Sequence, residues 1–376
     1  MSSSWFRPIC ALWAFAAVAL PLGAQRWQTQ YFYDKYGSTM EIRDLQFASA
    51  ARGVAVGTIE DKNREKSVAV VTADGGAHWD VVPLREPPIS LFLLNESLGW
   101  LVTTKGIWVT TEAGRDWRKL PKSPQGVLRV HFLDEKNGFA VGDHRLAMAT
   151  HDGGEHWAAV PEAAKQPGDL RYTTYSWIVF ATPQLGLITG WNIPPDPFLP
   201  RQPEWMDPEA TLKHRERPHL SIAMQTGDGG KTWTPTASST FGAITRVRFN
   251  RAGSGMGLVR YSEVFEYPSE VFRIVWPTGA SETLYRDKNF AVSDIWLARD
   301  GTGYLAGPVN GNRLREMVPG RIQVLRSDAG GWKAMDVDYR AVAKTAMLAG
   351  AGDQIWMATD SGMILKLVPG VAAVQP

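Results

Sequence analysis

Residues 127–134 (VLRVHFLD) alternate apolar and polar side chains. Alternation turns successive residues to opposite faces, so this stretch predicts a half-buried strand. Residues 135–138 (EKNG) have the composition of a turn, and 139–142 (FAVG) form a short apolar run. Residues 146–151 then lead into THDGGEHW at 150–157. The order is strand, turn, strand, turn, strand, polar hairpin, strand, which predicts a four-stranded antiparallel unit.

The same unit can be laid along the whole chain. First strands are predicted at 42–47, 89–94, 128–133, 177–181, 244–249, 292–297 and 342–348. Second strands follow as VAVG (54–57), WLVT (100–103), FAVG (139–142), LITG (187–190), MGLV (256–259), YLAG (304–307) and IWMA (355–358). Seven such units predict an all-β ring, a single seven-bladed propeller, with a six-bladed ring as the alternative. The seventh unit runs out one strand short after residues 363–368. The stretch 26–32 (RWQTQYF) resembles the fourth strand at 116–120 (DWRKL). Residues 26–33 are therefore expected to complete the last blade and close the ring.

The polar hairpin recurs as TADGGAHW (72–79), TTEAGRDW (110–117), THDGGEHW (150–157), TGDGGKTW (226–233) and a shortened SDAGGW (327–332). An Asp carboxylate can accept from backbone N–H groups just after it, and the Gly pair tolerates the positive φ of a tight turn. The Trp is expected to begin the next strand and cover the turn. Units five and seven lack this box, and PTGA (277–280) takes its place in unit five.

These boxes resemble Asp-box (BNR) repeats. A ring of such units behind a leader is similar to the photosystem II assembly and stability factor family, over about residues 26–370. The resemblance implies a structural role for Asp74, Trp79, Glu112, Trp117, Asp152, Trp157, Asp228, Trp233, Asp328 and Trp332, on the outer part of each blade. It also implies a non-enzymatic scaffold that binds a protein partner, and the box alone does not separate this from hydrolases that share it.

Residues 1–24 read as a secretory signal peptide. Arg7 is a weak basic start, 9–20 (ICALWAFAAVAL) the apolar core, and cleavage after Ala24 would leave Gln25 first. A retained anchor is the alternative, although the apolar run is short for a membrane span. The only cysteine, Cys10, lies in this leader, so the mature chain, residues 25–370 plus a disordered tail at 371–376, has neither disulfide nor cysteine metal site. Net charge is +2 with no basic block, and nucleic acid is not indicated. The expected product is an exported, periplasmic or secreted monomer with no cofactor.

Candidate chemistry is sparse. Tyr261 with Glu263 or Glu266, beside Arg260 and Arg273, can mimic the Tyr/Glu/Arg set of a sialidase, but no early Arg-Ile-Pro element accompanies it. His151 and His156 flank the third box, and His214 and His219 are split by Pro218, so no metal site is indicated. The larger departure is a long insertion at about 191–219. Asp207-Pro208 reads as a helix cap before a short helix at 210–217. Trp191, Phe198 and Trp205 offer an aromatic surface and His214, Arg215 and Arg217 a basic one, a composition suited to protein contact. Smaller insertions at 260–270 (Arg260, Tyr261) and 309–320 (Arg313, Arg315) join second to third strands as well. All three are therefore expected on one face, which binds a partner in a membrane-associated complex. The alternative function is a carbohydrate-active propeller, a glycoside hydrolase or glycan binder, which would show channel carboxylates about 5–10 Å apart.

Overall fold

The alternation along the chain resolves into seven antiparallel sheets arranged as blades around a common axis. A computed structural model describes residues 23–62, 64–195, 217–250, 254–261, 265–275, 280–309 and 318–370. The leader, the tail, the capped helix and Phe198, Trp205, His214, Arg215, Arg313 and Arg315 lie outside the described residues. Among the described residues no helix is long and apolar enough to cross a membrane.

The innermost strands are Ser38–Phe47, Pro88–Leu93, Val127–Phe132, Thr173–Phe180, Gly242–Phe249, Asp294–Leu297 and Ala346–Ala351. One prediction is corrected here. The segment expected as a single strand at 342–348 is split: Val342–Ala343 pairs with the third strand of blade six, and the inner strand of blade seven begins only at Ala346.

Ring closure follows the sequence expectation, with the strand starting slightly earlier. Gly23–Phe32 pairs antiparallel with Met363–Gly370, placing Trp27 opposite Leu367 and Phe32 opposite Met363. Blade six clasps this strand from the other side. Trp27 N–H donates to Asp336 O at 3.1 Å, and Thr29 Oγ1 donates to Asp338 Oδ2 at 3.0 Å. Trp27 is buried among Tyr304, Leu348 and Leu365. The absence of a box in blade seven now has a cause, because its third-to-fourth hairpin would have to join the two chain ends.

The boxes form as two nested hydrogen-bond loops. Thr150 Oγ1 accepts from Gly154 N–H at 3.0 Å and donates to Asp152 Oδ1 at 2.9 Å, while that carboxylate oxygen accepts from His156 N–H at 2.9 Å. The first and fourth boxes repeat this with Thr72 and Asp74, and with Thr226 and Asp228. Gly153 and Gly154 sit at φ 77° and 98°, where a side chain would be strained. The Trp does not begin the next strand in the four full boxes. Trp79 and Trp117 donate Nε1–H back to Gly76 O and Gly114 O, prolonging the turn, and the strands start one residue later at Asp80 and Arg118. Trp332 does lie in its strand and donates instead to Leu284 O.

These Trp rings tie neighbouring blades together. Trp157 stands edge-on to Phe132, and Phe132 stacks on Trp100 of the preceding blade at 3.5 Å. Trp79, Phe47 and Trp356 repeat the arrangement across the closure. Such ring pairs add about 0.5–1.5 kcal/mol beyond their buried area.

Antiparallel order sorts the loops onto two faces. Box hairpins share one face with the first-to-second hairpins. Second-to-third connections share the opposite face with the links between blades. The second strands that end at Asn192, Tyr261 and Val309, where the three insertions begin, all open on that second face.

Candidate functional site

Five innermost strands carry a register shift at the same place, between Ile42 and Asp44, Pro88 and Ser90, Val127 and Arg129, Tyr175 and Trp177, and Ile244 and Arg246. A bulge re-aims the side chain that follows it. In three of these five blades the second strand meets the bulge with glycine: Gly57, Gly142 and Gly190. A Cβ at Gly142 would lie 1.9 Å from Gly126 O, and one at Gly190 1.9 Å from Thr174 O. The position after the bulge is equivalent in all seven blades, because it pairs with the third residue of each second-strand motif. Around the ring it reads Asp44, Ser90, Arg129, Trp177, Arg246, Asp294 and Leu348.

This tier forms the waist of the central channel. A cavity of ≈ 180 Å³ is lined there by Asp44, Arg129, Trp177, Arg246 and Asp294, with His131, Arg248 and Trp296 from the next tier. The guanidinium groups of Arg129, Arg246 and Arg248 lie 4.2, 4.6 and 5.0 Å from the Trp177 ring. Trp177 is itself fixed by Nε1–H donation to Val247 O at 3.0 Å. Arg129 reaches Asp44 at 3.3 Å, and Arg246 reaches Asp294 at 3.5 Å. The arc therefore reads acid, hydroxyl, base, indole, base, acid.

Its electrostatics are unbalanced. Asp44 accepts from Leu45 and Leu91 N–H, and Asp294 from Ile295 and Leu348 N–H, so both carboxylates are already used to bind adjacent inner strands. Three guanidinium groups share them. Burial presses the Arg129 and Arg248 pKa values downward, and neighbouring arginines add to this while Asp44 and Asp294 oppose it. Arginine does not release its proton in proteins, so all three guanidinium groups stay charged beside two carboxylates. His131, between Phe92 and Phe180, is held down to about 4 by burial and by Arg129, and it is neutral at pH 7. The waist suits an anion. Among the described residues, the two carboxylates that line it, Asp44 and Asp294, are both already engaged.

Toward the insertion face a second cavity of ≈ 500 Å³ is lined by Arg43, Arg246, Arg260, Tyr261 and Lys344, together with Glu41 and Asp360. Arg43 and Arg246 line both cavities, so the mouth leads to the waist. Exposed apolar residues collect on this same face: Phe32, Tyr36, Leu170, Ile193, Phe241 and Val342 all lie at strand ends or links that open there.

Of the side chains singled out in the sequence, Arg260 and Tyr261 lie at this mouth. Trp191 is half-buried in the second strand of blade four, paired with Thr174 and Ser221, and Arg217 precedes the third strand. Among the described residues the sialidase-like set does not come together. Glu263 lies outside the described residues and Glu266 pairs with Lys288. Tyr261 donates to Glu270 at 2.8 Å, and that carboxylate also takes Arg286 and Thr283. Burial, then Glu270, push the Tyr261 phenol up, away from a nucleophilic phenolate. His151 bonds Asn137, and His156 bonds Asp152, so both serve turns. The waist arginines and Trp177 were not singled out in the sequence. A signal was available for the arginines, because five of the seven units carry a polar residue at this one offset.

The sequence profile of the photosynthesis system II assembly factor YCF48 family matches residues 122–375. The chain belongs to this family. Its members are assembly factors, a non-enzymatic class, and this chain is a seven-bladed propeller of that type. Photosystem II assembly lipoprotein Ycf48 of Synechococcus sp. (strain CC9902) is 24% identical over 250 residues, covering 59% of this chain and 70% of that protein. A solved YCF48 bound to D1 peptide matches with TM-score 0.59 and 17% identity, over 95% of this chain and 99% of the other. YCF48 from Cyanidioschyzon merolae matches with TM-score 0.56 and 17% identity, over 91% and 98%. At these identities the solved structures show a shared fold.

Proposed function

We propose that this protein is an exported assembly scaffold that holds a carboxylate-bearing segment of a membrane-complex protein at the channel waist. The observation that carries the reading is the excess of guanidinium over free carboxylate around Trp177. The family relative bound to a D1 peptide supports a peptide ligand, and the lipoprotein relative supports action outside the cytoplasm at a membrane. The apolar residues of the insertion face, with Trp191, Arg217, Arg260 and Tyr261, would form the surrounding contact rim. Phe198, Trp205, His214, Arg215, Arg313 and Arg315 belong to the same proposed rim through the insertions that carry them. The leader would be removed on export, leaving a monomer.

The test is affinity capture of the tagged mature protein from detergent-solubilised native membranes, followed by mass spectrometry. One stoichiometric membrane protein, lost with the folded double variant Arg246→Gln/Arg248→Gln, is the expected result. Equal capture by that variant would reject the waist as the site.

A further inference from the structure

We infer that Trp177 is the positioning residue of the waist: its indole holds three like-charged arginines together as a single anion site. This rests on the anion-binding reading above. Guanidinium groups brought this close repel one another, and burial strengthens the repulsion. The two aspartates cannot balance it alone, because three guanidinium groups share two carboxylates that also accept from four backbone N–H groups. The face of an indole attracts cations without consuming their N–H donors. A carboxylate in place of Trp177 would pair with the arginines and occupy the donors an anion needs. An aliphatic side chain would leave them free to splay apart.

Placement supports the role. Trp177 occupies the ring position between those of Arg129 and Arg246, and the Nε1–H bond to Val247 O pins its plane to the strand that carries Arg246 and Arg248. Arg248 is shared with a second indole, Trp296, at 5.2 Å. The edges of the guanidinium groups stay available: Arg129 donates to Asp44 Oδ2, Arg246 to Thr245 O and Arg248 to Ile295 and Leu348 O, while each group carries five N–H donors.

The experiment compares wild type, Trp177→Phe, Trp177→Leu and Arg246→Gln/Arg248→Gln for binding of a fluorescein-labelled hexaglutamate peptide at low salt, with thermal melting of each. Both Trp177 variants lose the Nε1–H bond and some volume, so both melt lower. Both replacements are apolar, and Phe keeps an aromatic face that Leu lacks. The expected result is that Trp177→Phe binds within about twofold of wild type while Trp177→Leu binds about tenfold more weakly, a loss of the size that desolvated cation–π contacts supply. Equal affinity for the Phe and Leu variants, whether weakened or not, would overturn the positioning role while leaving the anion site standing. Wild type that fails to bind the peptide, or binding that the arginine variant retains, would overturn the anion reading and the inference with it.

Discussion

Arg129 lies 4.2 Å from the ring of Trp177, although they belong to the inner strands of different blades. The two residues occupy one structural position in two copies of the same unit. The repeat supplies seven side chains at one level of the channel, and the fold needs only some of them for bonding between strands. The rest are free to vary, and here they carry charge.

Removing the closing strand should separate ring closure from blade folding. A chain beginning at Ser38 loses the partner of Met363–Gly370 and the clasp from Asp336 and Asp338. Amide exchange in Met363–Gly370 is expected to rise to near-unprotected rates, with a lower and broader melting transition. Unchanged protection there would mean the strand is dispensable.

The same strand gives a point test. Trp27 is 3% exposed, and truncating a buried Trp to Ala costs about 3–5 kcal/mol. Chemical denaturation of Trp27→Ala should show a loss of that size, whereas Tyr36→Ala, fully exposed in the next link, should change stability by less than about 0.5 kcal/mol.

Thr150 anchors its box through a buried hydroxyl that accepts from the Gly154 and Asp152 N–H groups and donates to the Asp152 carboxylate. Thr150→Val keeps the shape and strands the Gly154 N–H. The expected destabilisation is about 1–3 kcal/mol in urea denaturation. A neutral result would mean that the glycines alone hold the turn.

Acid should act on the boxes. Asp152 is held at about 2, chiefly by the backbone N–H of His156, and Asp228 at about 2, chiefly by the Thr232 hydroxyl. A carboxylate whose folded pKa lies below its unfolded value near 3.9 stabilises the fold above that value, and the contribution is lost as pH falls toward 2. Urea midpoints should therefore drop between about pH 4 and pH 2, and Asp152→Asn/Asp228→Asn should flatten that drop. An identical slope in the double variant would remove these carboxylates from the explanation.

The fold was legible because the repeat states it several times. Phe139 and Trp157 each have counterparts in other units, so blades, boxes and closure could be read from one chain. The split at Val342 was not legible, because an apolar stretch alone does not say which neighbour it pairs with. The waist was harder still. Arg129, Trp177 and Arg246 are far apart in sequence, and nothing local distinguishes them from polar residues at a strand edge. Only the alignment of bulged positions brings them together. Tyr261 shows the reverse: a suggestive local pattern whose actual partner, Glu270, comes from the facing strand.

The most direct test of partner binding at the waist is site-specific photo-crosslinking in native membranes, with a benzophenone side chain placed at Phe92, which lines the channel. The predicted result is one major adduct, mapping to an Asp- or Glu-containing segment of a single membrane-complex protein and absent when Arg246 and Arg248 are both Gln. Adducts that persist in that arginine variant, or none at Phe92 while a benzophenone at Tyr36 on the rim captures the partner, would contradict it.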